Sequence, residues 1–250
     1  MLALQQFGVQ FQANWLSTIR NRTAVFFNLI SPLLFFVLFS FIFGNQKGAT
    51  PELVALYLLP GVIVASQLSS GLFGGASVLV TWRERGIFRR IQATPMSVWQ
   101  LILARVLAQV IVSFAQALVT VIVGVLFFKV QLASGGVLWD FLFILIGSLV
   151  FQVMGQLIAA RIKRVETANI VVNVIFLPLL FFTDLYIPLS VMPTWLQNIG
   201  KLLPPYLVVD LLRSVMTDGK LPSNALAEVI GLGIYFIVML AASAAIFRFD

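Results

Sequence analysis

Arg83-Glu84-Arg85-Gly86-Ile87-Phe88-Arg89-Arg90-Ile91-Gln92-Ala93-Thr94-Pro95 is a compact basic segment set between two long uncharged apolar runs. Only 10% of the 250 residues are charged, yet four arginines and a glutamate fall in the first eight positions of this stretch. Charges this dense, between segments that partition into lipid, belong in water at one face of a membrane. Read as a helix, the stretch places Ile87 and Ile91 on one face with Phe88 beside them, while Arg83, Arg85, Arg89 and Arg90 flank that face. Glu84 suits the positive end of the helix dipole and Pro95 ends the helix. Such a helix is suited to docking into a partner's groove.

Composition agrees with a membrane setting. Apolar residues make up 60% of the chain, Phe alone contributes 23, and the mean hydropathy is +1.04. A soluble domain of this length cannot hide so much apolar surface. Cysteine and histidine are absent, which excludes disulfides, thiolate metal sites and cysteine nucleophiles. It also removes the commonest metal ligand and general base.

Crossing the hydrocarbon core takes about 20 mostly apolar residues. Charge-free runs of that order are Ala24–Asn45, Leu53–Trp82, Val106–Phe128, Phe141–Ala160, Thr167–Thr183 and Val229–Phe247. With their flanks they predict six spans, at residues 24–45, 53–82, 98–128, 138–160, 167–184 and 225–247. The second is longer than a bilayer requires, so it is tilted, kinked at Pro60 or extended into water. Arg20, Arg22, Arg83, Arg85, Arg89, Arg90, Arg105, Arg161, Lys163, Arg164 and Arg248 fall on one side of this arrangement. Only Lys47, Lys129, Lys201, Arg213 and Lys220 fall on the other. By the positive-inside rule the first side, with both termini, is cytoplasmic.

Before the first span, Leu4, Phe7, Phe11, Trp15 and Ile19 recur at helical spacing, with Gln5, Gln6, Gln10, Asn14 and Thr18 between them. Residues 1–22 therefore read as an amphipathic helix along the cytoplasmic membrane surface, or else as a polar lead-in to the first span. They do not read as a cleavable signal peptide.

The span interiors are almost free of ionisable groups, with Arg105, Asp140, Asp184 and Glu228 placed at span ends. That argues against an intramembrane enzyme or a proton relay. The polar features are of a packing type. Gly71 and Gly75 form a small-xxx-small step with Ser66, Gln67 and Ser70 nearby. Gln152 and Gln156 are four apart, as are Asn169 and Asn173. These groups either bind helices together or line a pathway. The outer segment, residues 185–223, is apolar but broken by Pro188, Pro193, Pro204, Pro205 and Pro222. Two short helices fit there, near Thr194–Leu203 and Pro205–Met216. They make either a re-entrant hairpin capping an external cavity or an ordinary surface loop. Asp210 and Arg213, three apart, are spaced to pair.

At this point a resemblance becomes specific. Glu84 through Pro95 resembles the E-R-G-x-x-x-R-[LI]-x-x-T-P signature of ABC-2 type permeases, the membrane subunits of type-2 ABC exporters. Leu59-Pro60-Gly61 resembles that family's P-G step at the start of the second span. Pro188, Met192-Pro193-Thr194-Trp195-Leu196, Pro205-Tyr206, Val209-Asp210 and Leu212-Arg213 resemble its external segment. Pro204 and Phe182-Thr183-Asp184 depart from the family pattern. The resemblance covers essentially the whole chain and lies closest to the daunorubicin and multidrug-exporter branch.

The resemblance implies an all-α integral membrane protein forming a single domain over residues 1–250. Its six transmembrane helices would be accompanied by an N-terminal interfacial helix, a cytoplasmic coupling helix over residues 83–95 and external re-entrant helices between spans five and six. Arg83 through Ile91 would meet a nucleotide-binding ATPase subunit. Pro188, Pro193, Trp195, Pro205, Tyr206, Asp210 and Arg213 would form the external gate. No Gly-x-x-x-x-Gly-Lys-Ser/Thr motif occurs, so ATP and Mg would be bound by the partner subunit. A second permease copy, the same or different, would complete the unit in a prokaryotic cytoplasmic membrane. The implied function is ATP-driven export of a drug or other amphipathic small molecule. Export of a lipid-linked glycan or lipid is the alternative within the family, and an ATP-independent channel or secondary transporter the alternative outside it.

Overall fold

A computed structural model of the chain describes residues 8–9, 11–12, 14–16, 22–45, 50–92, 98–133, 135–184 and 188–246. All regular structure among them is helical: α1 (Arg22–Gly44), α2 (Pro51–Glu84), α3 (Ile87–Gln92), α4 (Val98–Phe128), α5 (Val137–Ala159), α6 (Val165–Phe182), α7 (Thr194–Gly200), α8 (Pro204–Asp218) and α9 (Ala225–Ile246), with a 3₁₀ turn at Leu189–Val191 before α7. Among the described residues, five helices are long and apolar enough to cross a membrane: α2, α4 from Gln100, α5, α6 and α9. The first expected span is α1, helical over 23 residues, with a described apolar stretch at Ile30–Gly44. The described residues of the N-terminal segment are helical, whereas Leu4, Phe7 and Ile19 of the expected amphipathic pattern lie outside the described residues. So do Ala93, Thr94 and Pro95 of the basic segment.

The hub of the bundle is α2, which packs against α1, α4, α5, α6 and α8. Its start is locally encoded: the Thr50 hydroxyl accepts from the Leu53 N–H at 3.3 Å, Pro51 opens the helix, and Glu52 sits in the first turn. Pro60 lies within it without ending it. At 34 residues and 1.5 Å each, α2 is roughly 51 Å long, longer than a bilayer's hydrocarbon core of about 30 Å.

Its end corrects the expected single helix over residues 83–95. The Arg85 N–H bonds the Thr81 carbonyl and Gly86 takes a φ of +64°. That left-handed glycine closes α2 at Glu84 and lets α3 start in a new direction. Arg83 and Glu84 thus belong to the end of α2.

Where α2 crosses α5 the two backbones touch. A Cβ added to Gly71 would fall 2.6 Å from the Phe151 carbonyl carbon, and one on Gly75 would fall 3.2 Å from the Gly155 Cα. The small-xxx-small step is therefore a helix–helix contact. The outer segment is also part of the bundle. Val208, Val209, Leu211, Leu212 and Val215 of α8 are fully buried, with α2, α5 and α9 packed around them. By contrast α6 and α9 leave most of their apolar surface uncovered.

Candidate functional site

The basic segment is organised by what its first two residues hold. Arg83 is buried, and its guanidinium donates to the carbonyls of Ala159 at 2.8 Å, Ala160 at 3.2 Å and Ile162 at 2.5 Å. The Ala159 and Ala160 carbonyls finish α5, where the last turn lacks intrahelical partners and the dipole favours a cation, and the Ile162 carbonyl belongs to the loop that follows. Glu84 is exposed, and its carboxylate accepts the Val165 N–H at 3.0 Å. Val165 is the first residue of α6, whose N-cap residue Arg164 makes no side-chain cap of its own. The end of α2 therefore caps the C-terminus of one neighbour with a cation and the N-terminus of the next with an anion.

Beyond Gly86, α3 is pinned by Phe88. Its ring is completely buried and meets Trp82 edge-on, with centroids 6.2 Å apart. Phe88 was expected as an outward anchor and is instead turned inward, because the end of α2 supplies an aromatic partner the local pattern does not reveal. Ile87 is half-buried, while Arg85, Arg89 and Arg90 are exposed. The Ile91 side chain lies outside the described ones.

The expected pathway residues divide. Gln67 is buried and donates to the Ile144 carbonyl at 3.0 Å and the Ser148 hydroxyl at 3.1 Å, leaving its Oε1 without a partner. Ser66 bonds back to the Val62 carbonyl at 2.8 Å, and Ser70 accepts from Gln109. Gln152 and Gln156 are buried on α5, with Gln152 Nε2 unpartnered. Asn169 instead faces α2, accepting from the Ser77 hydroxyl at 2.7 Å, and Asn173 is exposed with its amide on the Asn169 carbonyl.

Sequence reading missed a polar stripe on α4. Gln109, Ser113, Gln116 and Thr120 are all buried, and neither Ser113 Oγ nor Gln116 Oε1 has a partner. Their steps of four, three and four in an otherwise apolar span are the signal that would have found them.

At the other end of the bundle, Asp184 organises a buried cluster. Its Oδ1 accepts from the Tyr57 hydroxyl at 2.9 Å and the Leu189 N–H at 2.7 Å. Its Oδ2 pairs with Arg213, which also donates to the Asp184 carbonyl at 3.0 Å. The Arg213 guanidinium lies 4.0 Å from the centre of the Tyr57 ring. This replaces the expected Asp210–Arg213 pair. Asp184 offers two carboxylate oxygens, a carbonyl and an adjacent aromatic face, where a neighbour on the same helix offers a single contact. Asp210 instead lies beside Glu228, which accepts from the Asn224 amide at 2.7 Å.

Burial first, then the carboxylates of Asp210, Asp184 and Glu228, push the Tyr206 phenol up to about 12. Pro205 is buried and Pro188 half-buried, while Pro193 and Trp195 face outward.

Known proteins resemble this sequence over 66–75% of its length. The ABC-2 type transporter family matches residues 5–217. YvfS of Bacillus subtilis (strain 168), named as a transport permease, is 27% identical over 188 residues, covering 75% of this chain and 76% of that one. YbhR of Escherichia coli (strain K12), named as a multidrug ABC transporter permease, is 24% identical over 165 residues, covering 66% of this chain and 42% of that one. The daunorubicin resistance ABC transporter permease protein DrrB1 of Streptomyces coeruleorubidus is 29% identical over 178 residues, covering 68% and 60%. With the family matched from the N-terminal segment through α8, and a signature segment that structurally joins three of its helices, this chain belongs to the ABC-2 type transporter family.

Proposed function

We propose that this chain is the permease subunit of an ATP-driven exporter, moving an amphipathic small molecule or drug out of the cytoplasm or the inner leaflet. A separate ATPase subunit binds ATP and Mg and supplies the energy. The observation that carries this reading is α3: a short helix at the end of the hub helix, anchored inward by Phe88 and presenting Arg85, Arg89 and Arg90 outward. In this reading α3 is the coupling helix. Six spans cross a prokaryotic cytoplasmic membrane with both termini inside, residues 1–22 lie along the inner surface, and α7 and α8 form a re-entrant segment closing the external exit.

The substrate class is supported by the names of YbhR and DrrB1 and by the uncharged span interiors. A second copy of the chain completes the pathway, and the uncovered apolar faces of α6 and α9 are where lipid and that copy meet it. The test is reconstitution with the ATPase subunit in inside-out vesicles, with daunorubicin as the fluorescent probe. ATP-dependent uptake, lost when the ATPase is omitted, is expected. Uptake that proceeds equally without ATP would establish a channel or secondary transporter instead. ATP-driven movement of a lipid, with none of daunorubicin, would establish the lipid-exporting alternative.

A further inference from the structure

We propose that Arg83 and Glu84 are positioning residues, which carry the movement of α3 into the turn between α5 and α6 and do not themselves contact the ATPase subunit. The inference rests on α3 being the coupling helix. Arg83 is buried with its guanidinium on the Ala159 and Ala160 carbonyls at the end of α5 and on the Ile162 carbonyl in the loop after it. The Glu84 carboxylate is engaged by the first amide of α6. Both side chains therefore work within this chain, and each carries the sign its helix end requires. The two ends they hold are separated only by residues 160–164. Neither end is capped by its own side chains: Ala160 at the end of α5 and Arg164 at the start of α6 contribute backbone alone.

The second observation is a ladder between α2 and α6. Glu84 meets Val165, Ser77 meets Asn169, and Phe73 meets Phe176 edge-on at 5.6 Å. These ties run antiparallel, from the end of α2 back to Phe73 and from the start of α6 on past its midpoint to Phe176. Otherwise α6 buries only Ala168, Val172 and Leu179, so it has few other attachments to resist being drawn along. Because Phe88 locks α3 onto Trp82, a displacement of α3 moves the end of α2. The charge-assisted caps then move the end of α5 and the start of α6 with it. Arg85, Arg89 and Arg90 are left to face the partner.

The chain contains no cysteine, so spin labels can be placed at Arg89→Cys and Lys163→Cys, two exposed positions on the two cytoplasmic loops. In the isolated chain in nanodiscs, electron–electron resonance should give a narrow distance distribution that broadens in Glu84→Gln and in Arg83→Gln. An unchanged distribution in both would overturn the proposal. In the complex with its ATPase subunit, Glu84→Gln should bind the ATPase within twofold of wild type and hydrolyse ATP. Daunorubicin moved per ATP should fall at least tenfold, and Glu84→Asp should recover part of it. Loss of ATPase binding in Glu84→Gln would make the residue a direct contact, and unchanged transport per ATP would make it merely structural; either overturns the proposal. If the wild-type complex moves no daunorubicin, the export reading fails by itself, and the label distances still decide whether the caps join the loops.

Discussion

Arg213 shows how much a single side chain's role depends on distant chain. Its partner Asp184 lies 29 residues earlier, and the two are nearly buried, with 16% and 10% of their side-chain surface exposed. Removing one member of such a pair strands the other charge, so Asp184→Ala should destabilise by about 3–5 kcal/mol. Replacing both, Asp184→Leu with Arg213→Met, should cost clearly less than the two single changes added together. Thermal melting in detergent over the four-member cycle checks this, and additive losses would show the pair to be uncoupled. Spacing alone can propose only neighbours on the same helix, which is why Asp210 was the legible partner and Asp184 was not. Phe88 failed to be legible for the same reason. A helical apolar face announces burial, but whether its cover is Trp82 or another protein is decided by tertiary packing.

At the scale of elements, a close approach of α2 to some neighbour was readable because small residues four apart let helices pack tightly, whereas its partner α5 was not. The structure adds a ranking. Gly71→Ala and Gly155→Ala place a methyl against facing backbone, on Phe151 and on the Gly71 carbonyl respectively, and backbone cannot swing aside. Each should cost about 1–3 kcal/mol as overpacking. Gly74→Ala meets only the Gln109 side chain, no closer than 3.5 Å, and should be tolerated. Gly86→Ala has open space around it but holds φ at +64°, so its loss should be about 1 kcal/mol of backbone strain alone. Melting temperatures of the four variants in one detergent test the order, and a Gly74 variant as damaged as Gly71 would refute the close-contact account. The α4 stripe went unread because Gln109, Ser113, Gln116 and Thr120 each look innocuous, and only their shared face on the helix makes them a feature.

At the scale of the whole molecule, the proposed function asks a chain of the ABC-2 type transporter family to receive energy from a partner at one end and to open at the other. The two ends are built differently. The end that this proposal places outside holds buried contacts around Asp184. The opposite end exposes a basic surface of Arg85 before α3 and Arg89 and Arg90 on it, with Arg161, Lys163 and Arg164 on the neighbouring loop. Exposed charges of this kind steer and orient a partner more than they bind it tightly. Reversing two of them, Arg89→Glu with Arg90→Glu, should leave membrane insertion and melting unchanged, because neither side chain is part of the packed interior. Affinity for the ATPase subunit should fall at least tenfold at 0.15 M salt, measured by titrating the ATPase onto the permease in nanodiscs. The difference should shrink at 1 M salt, where screening shortens from about 8 Å to about 3 Å. A loss that persists undiminished at high salt would point to packing contacts on the half-buried Ile87 side of α3 as the source of affinity. No loss at either salt would remove this face from the docking surface altogether.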